Sequence, residues 1–274
     1  MDGSLEFQAL NREASLALEA TRVGLEAISK AHSSRQGLYL QGFFNLATAI
    51  ERIGKIAIIV DHALENNGQF PQDKTLRAVG HDVLDLTKNM QTMRLRYADS
   101  DAFGAFPDDD FVPAMLEILS DFATGARYYN LDSLVQGVGL KRSLGNPVAV
   151  WQQRVSLPIL EKHYTGIRRE RGDGLAAIIG ERMAPFSMVR GWDESGNHIS
   201  DVTAMLTGSQ AARHIQRWTP FYLCRLFRFY TMLLKSLSYA SLEKQVPFIP
   251  WMGDHFGRFV NDDAFFKKYK VWRY

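Results

Sequence analysis

The stretch from Gly42 to Val60 is the most apolar in the chain, and it constrains the fold more than any other feature. On a helical wheel at about 100° per residue, Phe43, Phe44, Leu46, Ile50, Ile53, Ile56, Ile58, Ile59 and Val60 appear on nearly every side. A helix that is apolar all round must be covered by neighbours. The stretch is about membrane-spanning in length, but Glu51, Arg52 and Lys55 stand at its centre, where charge is costly in lipid. It therefore reads as the buried helix of a soluble protein. Glu51 and Lys55 are spaced i,i+4 in the order that favours an ion pair, and on the same wheel they lie within about 40° of His62. Buried charge is costly unless paired. Two readings stay open: a structural ion pair, or a functional polar cluster between helices.

The other segments are also helical in pattern. Ser4 is a cap for a first helix over 4–31. The apolar helix runs over 38–66 and stops at Asn66-Asn67-Gly68. A third helix is expected from Asp73 or Thr75 to Tyr97, a loop over 99–110, and a fourth helix over 110–136 before Gly137, Gly139 and Gly145. Asn146-Pro147 opens a fifth helix that reaches Arg169 with a kink at Pro158. Gly172-Asp173-Gly174 separates it from a short helix over 175–183. The segment 184–207 reads either as a short hairpin, with Phe186–Val189 and His198–Ser200 as its strands, or as an ordered loop. The last long helix spans 209–244, and an aromatic tail, 247–274, is expected to pack on the body. The fold class is all-α: a helical bundle over 1–145 with an added helical region over 146–274, which is also compatible with one continuous domain.

With 32 basic and 30 acidic residues, the balance of charge gives no argument for nucleic acid, so any basic footprint must be local. Cys224 is the only cysteine. It excludes an internal disulfide and a thiolate metal site, and in the run Phe221-Tyr222-Leu223-Cys224 it reads as a small core residue. The N-terminus MDGSLEFQALNREASL has no apolar signal segment. The expected location is the cytoplasm. No metal or cofactor is expected, because no phosphate loop, zinc-hydrolase spacing or nucleophile elbow occurs.

Three groups of residues are candidates for a site. On the third helix, Arg77, His81, Asp85 and Lys88 fall near one face, and Gly80 allows a close approach. His81 with a carboxylate at i+4 is either a general base oriented by an acid or a half-exposed His paired to Asp85. On the fourth helix, Arg127 and Asn130 belong to the polar run Ala126–Asp132 and are placed to line a groove with His81. On the last helix, Arg213, Arg217, Arg225, Arg228 and Lys235 share an arc of about 120°. That stripe is either simply solvated or a track for a phosphate backbone.

The segments Ala47-Thr48-Ala49-Ile50-Glu51-Arg52-Ile53-Gly54-Lys55 and Gly80-His81-Asp82-Val83-Leu84-Asp85-Leu86 resemble the HEPN superfamily. These are helical-bundle domains of prokaryotic toxins, abortive-infection proteins and nucleic-acid-targeting defence systems. The resemblance covers roughly residues 1–140. It implies a bundle that often forms a homodimer and, in active members, a metal-independent ribonuclease whose Arg and His meet across the dimer. The family's signature has four to six residues between that Arg and His; here Arg77 and His81 have three between them. Glu51, Lys55, His81 and Asp82 match motif positions and are pocket candidates. The expected function is RNA binding or cleavage in a defence or stress system. The alternatives are a non-catalytic subunit that recognises a protein partner and a small-molecule sensor built on the Glu51/His81 groove.

Overall fold

The computed structural model describes residues 3–97, 102–135, 143–246 and 248–273. Helix α1, Leu5–Ile28, starts where Ser4 accepts a hydrogen bond from the Phe7 amide. Helix α2, Gly37–Glu65, packs against it. Ile28 meets Gly42, Leu46 meets Gly24 and Glu13 pairs with Arg52, so the two run antiparallel. Between Leu46 and Leu64 every residue of α2 is buried or half-buried. That is the outcome expected for a helix apolar on all sides, and α4, α5 and α10 supply the remaining cover. Among the described residues no helix is long and apolar enough to cross a membrane.

Beyond the turn at Asn67 and Gly68, both at positive φ, the expected third helix is two helices. Helix α3, Asp73–Ala78, and helix α4, Val83–Tyr97, are separated at Gly80, whose φ is +71°. That conformation ends a helix and is cheap only for glycine. Asp82 then begins the next helix, its Oδ1 accepting from the Leu84 and Asp85 amides at 2.9 and 3.1 Å. The expected fourth helix is likewise divided. Helix α5, Phe111–Thr124, ends at Gly125, and a 3-10 turn, Ala126–Tyr128, leads into helix α6, Tyr129–Val135. Gln136, Gly137 and Gly139, and positions 99–101 of the expected loop, lie outside the described residues.

Asn146 caps helix α7, Pro147–Trp151, by accepting from the Val148 and Ala149 amides. At the irregularity expected around Pro158, a π-helical turn over Gln152–Ser156 precedes helix α8, Leu157–His163. Pro158 has no N–H and crowds the carbonyl four residues back, and a wider turn there accommodates both. The helix stops at His163, short of Arg169. Helix α9, Gly166–Met183, then runs straight through Gly172-Asp173-Gly174. Gly172 marks a close approach here: a Cβ on it would strike the Tyr164 hydroxyl and the Gln210 side chain.

The hairpin forms, but with strands β1, Gly191–Trp192, and β2, His198–Ile199, instead of Phe186–Val189 as the first arm. Helix α10, Val202–Glu243, begins seven residues before the expected Ser209, because Asp201 accepts from the Ala204 amide and supplies the cap. Its 42 residues make a rod of about 63 Å. Helices α11, Gly253–Phe256, and α12, Asp263–Lys268, belong to the aromatic tail. Phe256, Phe259, Phe266 and Trp272 are buried, and Trp272 Nε1 donates to Glu26 on α1 at 2.8 Å. One apolar core draws on α1, α2, α4, α5, α7, α8, α10 and the tail. At its centre Phe43 lies 4.8 Å from Trp151 and 5.7 Å from Phe122, ring to ring. Cys224 is fully buried in this core, and desolvation pushes its thiol well above the usual range, so it is inert packing.

Candidate functional site

The middle of α2 carries the polar group that its sequence announces. Lys55 Nζ donates to Glu51 Oε1 at 2.7 Å. His81, in the break between α3 and α4, reaches the same oxygen with Nδ1 at 2.9 Å. Burial alone would raise the Glu51 pKa. Hydrogen bonds from Lys55 and His81 outweigh it and hold the carboxyl below its ordinary value. Glu51 is therefore ionised at neutral pH. Against this anionic acceptor, Nδ1 of His81 is the donor, and the second ring nitrogen, Nε2, is left to other partners. The imidazole is 69% exposed, against 23% for the Glu51 side chain. The result is an imidazole held on one side and open on the other.

His81 and Glu51 line a cleft of about 150 Å³ whose other walls include Thr48, Phe44, Phe122 and Arg127. The floor comes from α2 and the C-terminal end of α5. Arg127 gets there because α5 stops at Gly125 and the chain turns through a 3-10 turn. The exposed guanidinium makes no salt bridge among the described residues and sits 5.2 Å from the Tyr128 ring. An imidazole, the carboxylate bonded to it and a guanidinium with no salt bridge among the described residues thus share one opening.

The remaining expected residues fall elsewhere. Arg77, His81 and Asp85 do not share a helical face, since Gly80 breaks the helix between them. Arg77 is exposed and pairs with Asp73 at 2.8 Å. Asp85 pairs with Lys88 at 3.0 Å, so it is Glu51 that orients His81. Asp82 is occupied as the α4 cap and accepts from the Ser120 hydroxyl at 2.6 Å, which ties α4 to α5. These bonds hold its carboxyl below the usual range despite partial burial. Asn130 is exposed on α6 and does not line the cleft.

The α10 stripe is divided by its neighbours. Arg225 pairs with Asp109 and Asp108 from the loop before α5 and with Asp263 of α12. Arg228 pairs with Asp263 at 2.9 Å and donates to the Asn261 carbonyl at 3.0 Å. These two arginines fasten the tail to the body and are not available as a free basic track. The wheel could not show this, because the neutralising acids are more than 30 residues away in sequence. Lys235 is half-buried, while Arg213 and Arg217 are exposed.

One polar group escaped the sequence reading. His163 stacks on Trp218 at 3.7 Å between ring centroids and shares a 2.7 Å hydrogen bond with the Tyr222 hydroxyl. Desolvation, with help from Lys162 and Lys267, lowers its pKa to about 4. It is a neutral packing histidine at physiological pH, and no local spacing signals it. Among the described residues no group of three His, Cys, Asp or Glu is placed to hold a metal ion. No family model, curated protein or solved structure matches the chain.

Proposed function

We propose that this chain is a HEPN-like RNA-binding protein of a prokaryotic defence or stress system that cleaves RNA at the His81 cleft. The observation that carries this reading is the convergence of His81, oriented by Glu51, with the unpaired Arg127. In the proposed step, Nε2 of His81 takes the proton of a ribose 2′-OH. The freed O2′ attacks the adjacent phosphorus, the bond to the 5′-oxygen breaks, and water returns a proton to that leaving oxygen. The products are a 2′,3′-cyclic phosphate and a 5′-hydroxyl. Arg127 faces the charge that builds on the phosphoryl oxygens. The resemblance carries over Glu51, Lys55, His81 and Asp82 as pocket positions only, since Arg77 and His81 depart from the family's catalytic spacing. Its Arg–His pair meets across two chains, whereas Arg127 offers the cation within one chain.

The test is incubation of purified protein with an unstructured RNA, with wild type beside His81→Ala and Arg127→Ala. Removing the base lowers the rate by about 10²–10⁴-fold. Arg127→Lys retains more activity than Arg127→Ala. Equal rates in wild type and His81→Ala contradict the assignment.

A second reading, a non-catalytic subunit for a protein partner, is favoured by the outer face of α9 and the turn after it. Leu175, Ile178, Met183 and Phe186 stand largely in solvent there, and exposed apolar side chains grouped on one element mark interaction surfaces. This reading expects RNA to be untouched by any variant and a stable complex lost on Ile178→Asp.

A further inference from the structure

Two exposed basic residues of α10 that have no ion pair among the described residues, Arg213 and Arg217, are joined by three more cations from the far end of the chain. Arg213 and Arg217 are one turn apart on the outer side of α10. Lys267, Lys268 and Lys270, from the end of α12 and the segment after it, face the same concavity of about 360 Å³. All five are exposed. Among the described residues, none of the five has an ion-pair partner and no acid lines the concavity. The chain as a whole is nearly neutral, so this concentration is local. It also contrasts with Arg225 and Arg228 a few turns on, where Asp109 and Asp263 cancel the charge. Like charges held together repel, and a bound polyanion removes that repulsion.

The walls are suited to a nucleic acid strand. Tyr269, exposed, lines the same concavity, with Lys268 Nζ over its ring at 5.0 Å from the centroid, and aromatic rings beside cations are a common feature of single-strand sites. Gln216 and Ser29 also line it, their side chains donating to the Ala31 and Glu26 carbonyls. The tail that carries the lysines is anchored: Trp272 Nε1 and the Arg273 guanidinium both donate to Glu26, and Phe266 is buried. The cations are thus presented by fixed backbone.

We infer that this concavity between α10 and the C-terminal tail is a binding site for the phosphate backbone of single-stranded RNA, separate from the His81 cleft. The inference deepens the RNA reading by naming where the strand is held, and it rests on that reading for the choice of polymer. The test is fluorescence anisotropy of a labelled, unstructured RNA over a range of salt concentrations. Wild type, Arg213→Ala/Arg217→Ala and Lys267→Ala/Lys268→Ala/Lys270→Ala are compared, with Arg77→Ala as a control cation elsewhere. Each lost phosphate contact reduces the slope of log K against log salt by about 0.7 for a single strand. The double variant is expected to lose about 1.4 and the triple about 2.1, and the control nothing. Because all five side chains are exposed, the thermal midpoint stays near that of wild type, which separates lost binding from lost folding.

Wild-type slopes in both variants overturn the site, as does a wild type that binds no RNA. Inorganic triphosphate that competes as well as the oligonucleotide, phosphate for phosphate, also overturns it and assigns the concavity to small anions. The cleavage reading fails separately. A His81→Ala protein that keeps the wild-type salt slope, beside a wild type that cuts nothing, rejects the cleft and leaves the concavity standing.

Discussion

At the level of single residues, most of the candidate site is decided by who reaches Glu51. The i,i+4 spacing made the Lys55 pair legible in the sequence, and it forms as expected. The His81 partner was not legible, because Asp85 offers the obvious local spacing while Glu51 is 30 residues away. Gly80 decides between them by breaking the helix. Gly80→Ala therefore tests the arrangement: nothing crowds a Cβ there, so the cost is that of a positive φ alone, about 1–2 kcal/mol. Chemical denaturation is expected to show that loss; an unchanged midpoint would argue for a continuous helix. Asp82→Ala removes the α4 cap and the Ser120 hydroxyl's acceptor and is expected to cost about 1 kcal/mol or more. Glu51→Gln weakens the orientation of His81 without emptying the cleft, so its effect is expected on the cleavage rate more than on RNA affinity.

At the level of elements, the apolar helix α2 organises everything else. Its pattern fixed both its burial and the presence of a charged stripe, and its caps and stops were readable from Asn66, Asn67 and Gly68. What could not be read was the use each glycine and proline serves. Gly172 looks like a turn and is a close contact; Gly80 looks like a close contact and is a turn. Pro158 marks an irregular turn, and the form it takes is a π turn just before it. Each choice depends on what packs opposite, which local sequence does not contain. The stripe on α10 shows the same limit, since Asp109 and Asp263 arrive from distant segments. The centre of the bundle gives a stability prediction: Phe43 is fully buried between Trp151 and Phe122, and Phe43→Ala is expected to cost about 3–5 kcal/mol. A loss below about 1 kcal/mol would place Phe43 outside the core.

At the level of the whole molecule, the pH dependence of stability rests on carboxylates whose pKa values are shifted in opposite directions. Glu51, Asp82 and Glu26 are held below their ordinary values by hydrogen bonds and cations. Their contribution is present above the usual carboxylate range and is lost as pH falls through their folded values. Glu194, in the hairpin turn near Tyr39, is raised by burial. Its contribution is present at low pH and is lost as pH rises through its folded value. Thermal midpoints across acid pH are expected to fall toward low pH in wild type. Glu194→Gln is expected to flatten the opposing trend, and an unchanged profile would remove Glu194 from the account. The three groups that define the cleft come from α2, the α3–α4 break and the turn after α5, so only the folded bundle assembles them. The most direct measurement is the chemistry of the cut ends. Wild type is expected to yield a 2′,3′-cyclic phosphate and a 5′-hydroxyl, to leave a strand with a 2′-deoxy sugar at the cut position intact, and to lose cleavage in His81→Ala. Cleavage of the 2′-deoxy strand, 5′-phosphate products, or full activity in His81→Ala would contradict it.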